Sequence, residues 1–190
     1  MGYVIAGVVV LLVVVILVWA ATQYNALVRV RNFIQEAWRQ IDVELERRHD
    51  LIPNLVETVK GYAAHERETL ESVTKARQDA TAPGQTPAEQ AHTEGVLSQA
   101  LMRMFAVAEN YPQLKASTHF LELQRELTNT EDRIAAGRRF YNANVRTLNT
   151  KVETFPTLLI AGMFGFTRAE YFEVDDPAVR QVPTVDLSGQ

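Results

Sequence analysis

The sequence predicts an all-α protein: an N-terminal transmembrane helix followed by a long antiparallel up-down four-helix bundle. Residues 3–21 form an uncharged apolar run at the very start of the chain. Beyond it the chain is polar, and apolar residues recur at steps of three and four, the period of helices with one buried face. Gly and Pro are sparse and fall at a few places, which divides the chain into long helices joined by short connections. The expected organisation is an anchor over 1–22, the bundle over 23–154, an apolar membrane-proximal tail over 155–172 and a flexible acidic C-terminus over 173–190.

A helix of the 19 residues 3–21 spans about 28 Å, close to the hydrocarbon thickness of a bilayer. Lipid offers backbone amides no water, so the run must be helical. A cleaved signal peptide would need a basic start, a shorter apolar core and small residues before the cut. Here the only early positive charge is the α-amine, and Trp19 stands on the approach to any cut, so a retained anchor is expected. The chain has no cysteine, which removes a lipidated cysteine as an anchor. Trp19 and Tyr24 fit an aromatic belt. Nothing basic precedes the run, whereas Arg29, Arg31 and Arg39 follow it, so the positive-inside rule places the N-terminus outside and the domain in the cytoplasm.

The elements follow in order. Helix one is expected over about 22–48 on Leu27, Val30, Ile34, Ala37, Ile41 and Leu45, continuing the membrane helix because no Gly or Pro separates the two. Asp50 can cap helix two, with Pro53 in its first turn, where a missing N–H is harmless. That helix runs over about 51–79 on Ile52, Leu55, Val59, Tyr62, Leu70 and Val73, and stops before Ala82-Pro83-Gly84-Gln85. Thr86-Pro87-Ala88-Glu89 reads as a capping box opening helix three, which extends to about 110 on Val96, Leu97, Leu101, Met104, Phe105 and Ala108. Pro112 starts helix four, on Phe120, Leu123, Leu127, Ile134, Tyr141, Val145, Leu148 and Val152, and Pro156 stops or bends it. The tail carries six large apolar residues between Leu158 and Phe166. An even number of antiparallel helices returns the tail to the membrane side, where lipid, another subunit or the end of the bundle can take it up.

The chemistry is read mostly by exclusion. The net charge is −4, and no basic stripe with interleaved aromatics is present, so no nucleic-acid partner is expected. There is no Gly-rich phosphate loop and no zinc spacing. Nucleophilic catalysis would need Ser or Thr with a His base, and His65 and His119, read as the helix-interior histidines, have no supporting pattern. Glu46–His49 and Glu89–His92 are Glu-x-x-His patterns like those of di-iron bundles. They fall at the end of helix one and the start of helix three, about 30 Å apart if those helices run parallel, so solvated helix ends are expected instead. No catalytic, cofactor-binding or metal residue is therefore predicted, and no cofactor. Glu66 projects between Tyr62 and Leu70, and Gln124, Glu131 and Arg138 recur at seven-residue steps. These are expected as paired polar groups in the core that fix helix register.

Several stretches resemble the LemA family: Tyr24-Asn25-Ala26-Leu27-Val28, Arg47-Arg48-His49-Asp50-Leu51-Ile52-Pro53-Asn54-Leu55-Val56, Val59-Lys60-Gly61-Tyr62-Ala63-Ala64-His65-Glu66, Glu109-Asn110-Tyr111-Pro112-Gln113-Leu114-Lys115, Leu123-Gln124-Arg125-Glu126-Leu127, Thr130-Glu131, Tyr141-Asn142, Phe155-Pro156 and Phe164-Gly165-Phe166. Asp132 departs from the asparagine usual there. The resemblance implies a membrane-anchored bacterial four-helix protein, placed by its anchor in the inner membrane, and does not imply a known activity. One relative takes part in forming magnetosome membranes. The expected function is a non-enzymatic, membrane-anchored helical scaffold that forms homo-oligomers and organises or shapes the lipid bilayer. The alternative is an accessory subunit that presents its bundle to another membrane protein, such as a protease or sensor.

The orientation is directly testable because the chain has no cysteine. With single cysteines at Gly2 and Asp176, an impermeant thiol reagent should label position 2 in intact cells and leave position 176 unlabelled. Labelling of 176 alone reverses the orientation.

Overall fold

The computed structural model describes residues 1–173, and the stretch 174–190 of the expected acidic C-terminus lies outside the described residues. All regular structure in the described part is helical: α1 Gly2–Tyr62, α2 Arg67–Ala80, α3 Pro87–Ala108, α4 Pro112–Lys115, α5 Thr118–Glu153 and α6 Thr157–Met163. The chain divides into two compact units. The first takes Met1–Leu45 and Glu131–Tyr171, and the second takes Glu46–Thr130 with Phe172.

In the first unit, the start of α1 is long and apolar enough to cross a membrane, and its side chains are exposed. Further along, Leu27, Ile34, Ala37, Ile41 and Leu45 are buried, as are Ile134, Tyr141, Val145, Leu148 and Val152 of α5, the stripes that the periodicity predicts. Trp38 and Tyr141 stack at 5.5 Å between the two helices. A Cβ at position 137 would lie 2.9 Å from Ile41 Cγ1, so Gly137 lets α5 approach α1 closely. Tyr141 donates its hydroxyl to the Glu170 carbonyl at 2.9 Å. Burial, helped by the charge of Glu170, pushes this phenol up to about 12, so it stays a donor throughout the neutral range. The Asn149 amide accepts from Ala169 N at 2.9 Å and donates to Ala169 O at 3.0 Å, pinning the chain after α6. α5 stops three residues before Pro156, and α6 follows it. Ile160, Ala161 and Phe166 are buried. Tyr24 of α1 meets the rings of Phe164 at 4.7 Å and Phe166 at 6.0 Å.

In the second unit, α2 packs against α3. The core joins Ile52, Leu55, Val59 and Ala63 to Leu70, Val73 and Ala76, to Leu97, Leu101 and Met104, and to Leu114, Phe120, Leu123 and Leu127. The Thr86 capping box forms in both directions, with Glu89 N donating to Thr86 Oγ1 at 3.3 Å and Thr86 N donating to Glu89 Oε2 at 2.8 Å. Gly84 takes φ +80° in the turn before it, a conformation that favours glycine.

The expected break between helices one and two is absent: α1 runs unbroken through Asp50 and Pro53 to Tyr62. Proline inside a helix costs about 3 kcal/mol, partly because the carbonyl four residues back loses its donor. Here that carbonyl belongs to His49, and Arg77 Nε of α2 donates to it at 2.7 Å. The break falls instead at Ala63–Glu66, after Gly61, and this moves the buried position from Tyr62, which is exposed, to Ala63. His65 consequently lies in a turn rather than inside a helix. Pro112 opens only the one-turn α4, and α5 begins at Thr118. Val96, expected in the core of α3, is exposed.

If Arg77 satisfies the carbonyl that Pro53 orphans, the two substitutions must couple. Arg77→Met should destabilise the full chain in detergent by about 1–3 kcal/mol, the penalty of an unmet buried carbonyl. In the Pro53→Ala background, where the backbone N–H returns, most of that loss should vanish. Denaturant unfolding of the four proteins in a double-mutant cycle measures the coupling, and additive losses would refute it.

Candidate functional site

The most concentrated polar chemistry among the described residues is a buried cluster in the second unit. Arg48 and His49 sit on α1 between Leu45 and Ile52, on the helix face that points inward. Glu94 sits on α3 between Ala91 and Leu97, again at core positions. The exposures are 4% for Arg48, 7% for His49 and 2% for Glu94, so all three are desolvated.

Every oxygen of Glu94 is engaged. Oε2 accepts from Arg48 Nη1 at 3.2 Å, and Oε1 lies 2.6 Å from His49 Nε2 and 3.1 Å from Gln90 Nε2. A carboxylate oxygen only accepts, so the imidazole carries its proton on Nε2. Arg48 Nη2 donates to Ser98 Oγ at 2.7 Å, one turn along α3 from Glu94. Gln90 also donates to the Ala80 carbonyl at 3.0 Å, which ties in the C-terminal end of α2. The cluster thus ties α1 to α3 by charge and to α2 through the His49 carbonyl and Gln90. A buried pair of this kind is poor evidence for stability but good evidence for register, since any slip leaves a charge unmatched.

The candidates read from the sequence are distributed otherwise. Glu46 and His92 are exposed, and Glu89 is committed to the cap of α3. His49, expected at a solvated helix end, is buried and partnered by Glu94. The helix that was to carry Glu66 into the core breaks at that residue, leaving it partly exposed at the start of α2, where Tyr111 Oη donates to its Oε1 at 3.1 Å. That hydrogen bond, with burial and the Glu66 charge adding, raises the Tyr111 phenol above its ordinary value. Gln124 and Arg138 are partly exposed and Glu131 is exposed, while Thr130, one position away, is buried and donates to the Glu126 carbonyl at 2.8 Å. His119 is exposed near the start of α5. Among the described residues, no group of three His, Cys, Asp or Glu could hold a metal.

Comparison with known proteins places this arrangement. The LemA family model matches residues 37–187. The chain belongs to the LemA family. The match begins after the apolar run, within α1, and covers the buried cluster. A LemA protein of Metamycoplasma hominis is 29% identical over 170 residues, covering 86% of this chain and 74% of its own length. Magnetosome protein MamQ 2 of Paramagnetospirillum magneticum is 28% identical over 189 residues, covering 86% and 70%. Magnetosome protein MamQ of Magnetospirillum gryphiswaldense is 26% identical over 175 residues, covering 79% and 64%.

Removing one partner should separate structural from surface carboxylates in this LemA chain. Glu94→Gln should destabilise by roughly 3–5 kcal/mol, because it neutralises the buried carboxylate that Arg48 Nη1 and His49 Nε2 both meet. Glu66→Gln, which keeps an acceptor for Tyr111, should cost less than about 1 kcal/mol. Thermal unfolding followed by circular dichroism distinguishes them, and equal losses would contradict the geometry.

Proposed function

We propose that the protein is a non-enzymatic, membrane-anchored scaffold that self-associates and organises the bilayer around it. In this reading the apolar start of α1 is a single-pass anchor with the domain in the cytoplasm, and the later helices form an up-down four-helix bundle. The ties from α1 to α3 through Arg48–Glu94, and from α1 to α5 through Arg47 Nη2 and Glu126 Oε2 at 2.6 Å, support the bundle.

One observation carries self-association. On the first unit, α1 and α5 border an open groove of about 620 Å³ that includes Val43, Gly137 and Phe140. Val43 and Phe140 are exposed, as is Phe33 further back along α1. The same surface carries both signs of charge. Arg133 pairs with Glu44 Oε1 at 3.1 Å, and Arg39 lies 3.6 Å from Glu36. Glu44 Oε2 is buried and has no hydrogen-bond partner among the described residues. An apolar groove with cations and anions at its rim is self-complementary, which a two-fold interface requires, and a donor from a second copy would satisfy Glu44. The magnetosome relatives, by name, belong with a membrane-bounded compartment, and they support extending the reading from self-association to membrane organisation.

Particle size in mild detergent tests the proposal. The native chain should form a homogeneous oligomer, and Val43→Arg with Phe140→Arg should reduce it to a smaller particle with unchanged helicity. A native chain that is monomeric in detergent and yields no homotypic cross-links in membranes would sink the scaffold. Co-purification of a different membrane protein at fixed stoichiometry would favour the accessory-subunit reading.

A further inference from the structure

The tail that follows α5 has two faces of different fate. Ile160 and Ala161 point into the first unit and are buried, and Phe166 is buried under the Arg31 guanidinium at 5.0 Å. On the opposite side of α6, Leu158, Leu159 and Met163 follow one another at helical spacing, and Phe155 precedes them. All four are exposed, Phe155 to 74% and Met163 to 77%. No charged residue occurs from Thr154 to Thr167, and the ends of this stretch are joined by an ion pair, Arg168 Nη1 to Glu153 Oε1 at 2.9 Å. An ordered, uncharged apolar loop held shut at its base is an unusual thing to leave in water.

Its position names the occupant. Tyr24, in ring contact with Phe164, lies three residues beyond the last residue of the apolar run, about 5 Å along the helix axis. Tyrosine at that depth marks the headgroup level of a bilayer. We infer that α6 is an interfacial element: Phe155, Leu158, Leu159 and Met163 insert among the acyl chains next to the anchor, while Ile160 and Phe166 hold the element to α1. The inference rests on the anchor reading above. α6 is far too short to span a bilayer, so it lies in the interface plane, as membrane-surface segments do. A second copy of the chain is a poorer occupant. The four side chains offer roughly 450 Å² of apolar surface, about half of the ~800 Å² per partner that a stable interface buries. The uncharged stretch also lacks the polar rim that protein interfaces carry.

The test uses the full chain in phosphatidylethanolamine–phosphatidylglycerol vesicles. Single-cysteine variants Leu159→Cys, Met163→Cys, Ile160→Cys and Val13→Cys carry an environment-sensitive fluorophore, and the vesicles contain lipids nitroxide-labelled near the headgroup or deep in the chain. Labels at 159 and 163 should lose most of their fluorescence to the shallow nitroxide and little to the deep one. The label at 13 should respond to the deep one, and a label at 160 should be spared or should unfold the first unit. Quenching at 13 without quenching at 159 and 163 overturns the interfacial role and leaves the anchor standing. Loss of quenching at 13 overturns both. If 159 is instead shielded from both lipids and self-quenches between copies, the occupant is a second chain and the lipid proposal is wrong.

Discussion

His49 is held at both ends, and the second unit is organised around that fact. Its carbonyl, deprived of a backbone donor by Pro53, receives the Arg77 side chain from α2. Its imidazole meets Glu94 of α3, which is simultaneously bound by Arg48. Two defects that would be costly separately, a proline within a long helix and a buried charge, are arranged so that each is repaired by a neighbouring helix. The repair fixes the axial position of α2 and α3 against α1 within the second unit more tightly than apolar side chains could, because hydrogen bonds discriminate distance and direction while apolar burial does not.

What the sequence discloses follows from the range of each interaction. The stripe from Phe120 to Val152 of α5 and the capping box at Thr86 depend only on residues three or four apart, and both are readable locally. The continuity of α1 is not, because the group that relieves Pro53 is Arg77, 24 positions downstream, and nothing near Pro53 reveals it. Ile52, Leu55 and Val59 are buried as the periodicity predicts, but the helix breaks at Ala63–Glu66, where the local sequence predicts continuity, and this takes Glu66 off the projected face. The buried cluster did leave a signal. Glu94 falls on the Ala91–Leu97–Leu101 stripe, and Arg48 and His49 fall between Leu45 and Ile52. A carboxylate and two potential cations on facing apolar stripes are a pairing that periodicity alone can propose but cannot assign.

The two units divide the chemistry between them. In the second, Arg48, His49 and Glu94 are buried and meet one another. In the first, apolar groups remain outside: the start of α1, the groove beside Val43 and Phe140, and the outer face of α6.

The unbroken passage of α1 from the apolar run to Leu45 has a mechanical consequence. With no hinge residue between them, the apolar run and the stretch that follows it share one axis. The 24 residues from Thr22 to Leu45 extend about 36 Å, so a change in tilt of about 10° carries the far end sideways by about 6 Å. Transmembrane helices adjust their tilt to the local hydrocarbon thickness. With its apolar run in a bilayer, a rigid lever of this kind would convert a difference in bilayer thickness, an ångström-scale quantity felt inside the lipid, into a lateral displacement several times larger at its far end.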